Sequence, residues 1–330
     1  MNRRCLIILV SFLFFGTSFA SSICQTKNEI KVPYMPEGRE DGVGFCFAFA
    51  ATALLQQHYC EAKHGCTEED NLSVLDVINQ YAKKVKPKQN GGSSFEALRA
   101  VEKLNKVALE SCANFNALFK TDKLRKYEPS TDWEEVLQQN FSDALETTAK
   151  LYIPDPRETK DCIHCGGSKT EPVIDVSDYE RILSRSGSDT PFTVLVEKFV
   201  FPKQCENQRK NIAPFKPHEM RAGSIEEAKI KIHPVVESGR PIQIGVCLKE
   251  NAKDMRECMG HATVISGVRQ NCCGNTCKTE YKITDSMQLT WIASSTGGWV
   301  DANTLLARTE LFHKGNRAFM SWIEPISEKH

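Results

Sequence analysis

The chain has 330 residues with 42 Lys and Arg against 42 Asp and Glu, so its formal net charge is zero. That balance argues against a nucleic-acid or anionic-membrane partner, because no basic excess is available to hold phosphates. A hydrophobic content of 41% supports a packed core, at a length that suits one large or two small domains.

Residues 1–20 read as an export signal. Asn2-Arg3-Arg4 is basic, Leu6 to Phe15 is almost wholly apolar, and Ser18-Phe19-Ala20 offers small residues ahead of a cleavage point. The apolar run is short for a bilayer span, and no second run of that length follows. The expected mature protein, residues 21–330, is a monomer in the periplasm or the medium, away from the membrane once the signal is cut. Cleavage removes Cys5. If Cys46 stays a free thiol, the rest of the 14 cysteines are even in number and can pair as disulfides in an oxidising compartment.

Residues 21–39 read as extended, with Pro33 and Pro36 opposing helix. Phe47 to Tyr59 has an apolar face at helical spacing. Cys60 and Cys66 bracket a short loop that a local bridge would close. Leu72 to Val85 is a second predicted helix, Asn90-Gly91-Gly92 a turn, and Ser93-Ser94 a cap for a third helix through about Lys106. The middle, about 112–225, is the least regular. It has an acidic helical stretch at Asp132 to Lys150, a Cys162-Ile163-His164-Cys165 loop, and strand-like runs at Phe192 to Val196 and Phe199 to Phe201. Strands are predicted at Ile242 to Leu248, Ala262 to Val268, Tyr281 to Thr284 and Phe319 to Ile323. Helices first and strands later give an α+β protein of two lobes. The helical lobe lies mainly in 40–111, and the β-rich, barrel-like lobe mainly in 226–330.

Gly42-Val43-Gly44-Phe45-Cys46 places one cysteine after a glycine turn and at the start of the first helix. Unpaired N–H groups and the helix dipole at such a position favour a thiolate. A cysteine nucleophile needs a base, and histidine suits that near neutral pH. Among the eight histidines, His261 alone stands at a strand start, a rigid mount for a base; the others lie in loops, beside prolines, or along the first helix away from Cys46.

These segments resemble the papain-like cysteine peptidases. Glu40 to Ala50 is similar to their active-site block, written Q-x-x-x-G-x-C-W-A-F, with Gly44, Cys46, Ala48 and Phe49 in register. His261-Ala262 through Gly267 resembles their H-A-x-x-x-x-G strand, and Asp285-Ser286 stands where the family has Asn-Ser. Asn90-Gly91-Gly92 with Ala97-Leu98 resembles the N-G-G segment that holds extended substrate, and Leu72 to Asp76 their L-S-E-Q-x-L-x-D helix. The resemblance implies a papain-like two-lobe fold with a polypeptide as substrate and no cofactor or metal. It implies Cys46 as nucleophile, His261 as general base and acid, Asp285 as the orienting residue, and Gly91 and Gly92 as backbone partners of the substrate.

The chain departs from the family at the oxyanion glutamine, which aligns with Glu40 without gaps, or with Asp41 if one residue is deleted; either way an acid replaces an amide donor. A carboxylate at 4 Å from the developing oxyanion repels it by roughly 4 kcal/mol at an effective dielectric near 20. Turnover then requires Glu40 to be neutral or turned away. Met287 stands near the family's covering tryptophan, with Trp291 or Trp299 as substitutes. Two alternatives keep the fold and change the activity: a binding protein that no longer cleaves peptides, and a Cys-His-Asp acyl transferase. Cys162, Cys165, Cys272, Cys273 and Cys277 read as loop disulfides in preference to a zinc site.

Overall fold

The computed structural model describes residues 24–36, 44–87, 91–115, 193, 196–197, 201–248, 260–286, 296–309 and 318–326. Helix α1, Cys46–Ala62, runs for 17 residues and is buried from Phe47 to Cys60. The apolar periodicity foresaw one buried face. The helix is instead covered all round, because α2 (Val74–Val85) and α3 (Ser94–Glu102) pack on one side and strands of the sheet on the other. Its polar residues are buried with partners. Gln56 Oε1 accepts from Leu72 N–H at 2.7 Å, Gln57 Nε2 donates to the Gly239 carbonyl at 3.3 Å, and His58 Nε2 donates to the Ala213 carbonyl at 3.0 Å. Each bond removes the cost of burying an unpaired polar group.

Two apolar cores divide the molecule. One joins Phe47, Leu54 and Leu55 of α1 to α2, α3, Phe115 and Phe215. The other lies between the sheet and two further helices, α4 (Ile225–Glu237) and α5 (Ala302–Ala307). The sheet has seven strands in the order β4-β9-β5-β6-β7-β8, with β1 (Cys24–Lys31) added beside β6. These are β4 (Phe215–Ala222), β5 (Ile242–Cys247), β6 (Gly260–Cys273), β7 (Thr276–Thr284), β8 (Trp299–Asp301) and β9 (Ala318–Pro325). A short ribbon of β2 (Lys106–Val107) and β3 (Lys210–Asn211) lies apart from it. The result is the two-lobe α+β architecture expected above.

Disulfides hold the lobes' loops. Cys60–Cys66 closes the loop after α1, as expected, and Cys112–Cys205 ties the end of the first helical segment to the chain after residue 200. Cys272–Cys277 spans the β6–β7 hairpin, and Cys24–Cys273 clips β1 onto β6. Cys272, Cys273 and Cys277 are therefore bridged rather than available as metal ligands. No helix among the described residues is long and apolar enough to cross a membrane.

Several sequence expectations change. The third helix stops at Glu102, because the chain turns at Asn105, whose φ is +46°, and enters β2. The strand foreseen at Phe192 to Val196 is helical where described, with Thr193 in a helix and Val196 and Glu197 in a π turn. Phe201 N–H donates to the Val196 carbonyl five residues back, and both residues are buried in the helical core. A short apolar run fits a buried turn of helix as well as a strand. Strand β4 and helix α4 were not foreseen. The first has Pro217 near its middle, and the second contains Pro234. The signal, the 37–43 segment with Glu40, the acidic 132–150 stretch, Cys162 and Cys165 lie outside the described residues.

Candidate active site

Cys46 is the first residue of α1, so its N–H lies ahead of the helix's own bonding ladder. Gly44, at φ +78°, makes the turn into the helix in a conformation that costs glycine nothing. Phe45 is 1% exposed and meets Phe115 edge-on at 6.3 Å, while Phe49, one turn on, meets the same ring at 4.8 Å. Aromatic packing thus anchors the helix start where no side chain caps it. Among the described cysteines Cys46 is the free one, and it is half-buried.

His261 enters from the other lobe as the second residue of β6, whose main chain is paired with Val246 of β5. Asp285 follows directly on β7, which runs antiparallel to β6. His261 Nε2 donates to Asp285 Oδ1 at 2.5 Å, with both side chains almost completely buried. Cys46 lies close enough to the imidazole to act on its charge. Burial pulls the imidazolium down, but the charge and hydrogen bond of Asp285, with Cys46 adding to them, hold His261 well above its ordinary value. Both neighbours thus favour the charged imidazolium over the neutral ring. The sheet and α1 contribute three residues spread over more than two hundred positions of sequence.

Gly91 has φ +86°, and Gly92 leaves no room for a side chain: a Cβ there would lie 2.6 Å from the Phe47 ring. That ring is fixed in turn by Tyr81, with centroids 4.9 Å apart. The glycine segment therefore rests directly on the residue after Cys46. Gly92→Ala is expected to cost about 1–3 kcal/mol, the usual range for overpacking, read as a lower denaturation midpoint. A wild-type midpoint would show that Phe47 can swing aside.

On the opposite side of α1 an apolar recess separates the lobes. Phe49, Ala53, Ala262 and Val264 line it, with Pro36 at one wall and Asp285 and Ser286 at another. Three other described histidines have partners elsewhere. His58 is bonded to Ala213, His218 stacks on Trp322 and contacts Glu324, and His233 lies against Tyr281. Trp299 does not cover the His261–Asp285 pair. It packs beneath the Arg269 guanidinium at 4.4 Å and against Gly267. Glu40 and Trp291 lie outside the described residues.

The site includes two things the sequence reading missed, the Phe47–Gly92 contact and the recess beside Asp285. The first was signalled by the consecutive glycines after Asn90, and the second had no sequence signal.

No family model matches the chain, and no curated protein matches it significantly. Solved structures do. A recombinant stem bromelain precursor aligns over 92% of this chain and 72% of its own, at 12% identity and a TM-score of 0.44. The bromelain protease of Ananas comosus in complex with the E64 inhibitor aligns over 92% and 100%, at 12% identity and 0.43. A digestive procathepsin L2 proteinase from the larval midgut of Tenebrio molitor aligns over 91% and 68%, at 10% identity and 0.44. These are papain-family peptidases, the family that the sequence motifs resemble. At such overlap the assignment of function is carried by the site itself.

Proposed function

We propose that this chain is an exported, papain-like cysteine peptidase that hydrolyses peptide bonds through an acyl-thioester on Cys46. The observation that carries the proposal is the buried His261–Asp285 pair, with the helix-start thiol of Cys46 close enough to act on the charge of the ring. Cys46, as thiolate, attacks the scissile carbonyl carbon, and the carbonyl electrons move to oxygen. The Cys46 N–H is one donor for that oxyanion. As the C–N bond breaks, His261 gives its proton to the leaving amine. Water then loses a proton to His261 and attacks the thioester, releasing the acid and restoring the thiolate–imidazolium pair. Asp285 holds the ring's orientation and favours its charged form. Gly91 and Gly92 pair with the acyl half of the peptide in the manner of an added strand.

The raised His261 sets the sign of the pH response. Its folded value lies above the ordinary 6.5. Stability from the relay is therefore complete below about pH 6.5 and is lost as pH rises through the folded value. The alkaline limb of kcat/KM should likewise fall above pH 6.5. In Asp285→Ala the first favourable partner is gone and burial dominates, so that limb should move to lower pH. A limb in the same place in both proteins would remove Asp285 from the relay.

Glu40 is assigned by its alignment with the family's oxyanion glutamine. If its charge limits turnover, Glu40→Gln raises activity near neutral pH, and an unchanged pH–rate profile rejects that role.

A further inference from the structure

Gly91, Gly92 and Ser93 are exposed, and among the described residues no main-chain group of Gly91 or Gly92 has a main-chain partner. A glycine segment without a ladder has wide conformational freedom, so its height above α1 is set by what lies beneath it. At Gly92 that is the Phe47 ring, which leaves no space even for a Cβ. Phe47 follows Cys46 in α1 and is 2% exposed, so the ring beneath the glycines and the thiol share one turn of helix. The ring keeps its place only if close packing denies it other rotamers. Tyr81, near the end of α2 and 5% exposed, supplies that packing, with ring planes inclined at 54° and centroids 4.9 Å apart. The other end of Tyr81 reaches the glycine segment itself. Burial pushes its hydroxyl up, and the main chain of Ser93 lies close enough to draw it back. Ser93 is fixed in turn as the cap of α3, its Oγ accepting from Glu96 N–H at 3.3 Å. One side chain of α2 therefore bears both on the ring beneath Gly92 and on the residue that ends the glycine turn.

Each link is a direct contact: Tyr81 on Phe47, Phe47 on Gly92, and Phe47 covalently next to Cys46. We infer that Tyr81 is a positioning residue for the acyl half of the substrate. Through Phe47 it fixes the distance between the Gly91–Gly92 main chain and the Cys46 thiol, and so the placing of the scissile carbonyl of a peptide paired with those glycines. Small displacements at this point are costly, because attack needs the reacting atoms in a near-contact geometry. A reagent that meets the thiol without using the glycines is indifferent to Tyr81. The inference rests on the peptidase reading above.

The test sets peptide hydrolysis against alkylation of the same thiol. The substrate is a tripeptidyl aminomethylcoumarin amide, whose acyl half runs along the glycines, and the small reagent is iodoacetamide, followed by mass mapping of Cys46. In Tyr81→Leu the ratio of kcat/KM to alkylation rate should fall about tenfold, equivalent to one aromatic contact, with the alkylation rate itself unchanged. Tyr81→Phe keeps the ring on Phe47 and should retain most of the ratio. Val107→Ala, a truncation elsewhere in the same core, should lower the melting temperature and leave the ratio where it was. A double-mutant cycle reads the linkage without activity: with Phe47 released, Gly92→Ala should cost less stability in the Tyr81→Leu background than in the wild type. A wild-type ratio in Tyr81→Leu, or equal costs of Gly92→Ala in the two backgrounds, overturns the inference and leaves the peptidase reading intact. A folded wild-type protein that neither cleaves the peptide nor is alkylated at Cys46 overturns both.

Discussion

Cys46→Ala is expected to lower turnover by about 10⁴-fold or more and to abolish labelling by an epoxide-type cysteine-peptidase inhibitor, with no loss of fold. His261→Ala should cost a comparable factor, because the thiol loses both its base and the acid that serves the leaving amine. Residues that act as one unit are strongly non-additive, so the double variant should be scarcely worse than either single one. The experiment is labelling of the oxidised protein from pH 4 to 8 with mass mapping, alongside peptide hydrolysis. Stoichiometric modification at Cys46 alone supports an activated thiolate in a peptide-binding cleft. A folded protein with Cys46 free and unlabelled would point to a binding protein of this fold. Normal rates in either variant would overturn the site assignment.

The second large effect concerns stability. Asp76 lies fully buried in α2 and receives Arg209 through three contacts, the shortest Nη2 to Oδ1 at 2.6 Å. Its Oδ2 also accepts from Ala108 N–H at 2.7 Å and from Gln80 Nε2 at 3.1 Å. One carboxylate therefore joins α2, the start of the loop after β2, and the chain that re-enters after residue 200. Removing one partner of a buried pair leaves the other charged and uncompensated, which typically costs about 3–5 kcal/mol. Asp76→Ala should show that loss in denaturant unfolding, and Arg209→Met a comparable one. Replacing both by apolar residues of similar size should recover part of it. A single-variant loss below about 1 kcal/mol would mean that the pair behaves as a solvated surface bridge.

The motif Leu72 to Asp76 marked this helix in the sequence, but nothing there indicated Arg209, more than 130 positions away. The same division appears throughout. Helix α1 was legible because Phe47 to Tyr59 repeats apolar residues at helical spacing, and β6 because a β-branched run follows His261. Strand β4 was not, since Phe215 to Ala222 contains a proline and three charged residues. It is a strand because β9 pairs with it residue for residue, from Phe215 with Pro325 to Ala222 with Ala318. The Phe192 to Val196 run failed for the opposite reason. Its apolar residues were visible, but whether they formed strand or helix depended on the core that received them. Trp299 was weighed as a cover for the histidine and instead packs on Arg269, a choice made by the β7–β8 register.

What the amino-acid order by itself determined was local: a glycine turn into a helix that begins with cysteine, a histidine at a strand start, an acid at a strand end, and cysteines able to pair. Those features arise from spacing within about a dozen residues, where propensity and periodicity act. Only the tertiary structure decided that His261 Nε2 meets Asp285 with Cys46 close enough to act on the ring's charge, and that Phe47 leaves room at residue 92 for glycine alone. These depend on strand register and on the packing of α1 between the lobes, contacts between positions up to two hundred residues apart that no local pattern encodes.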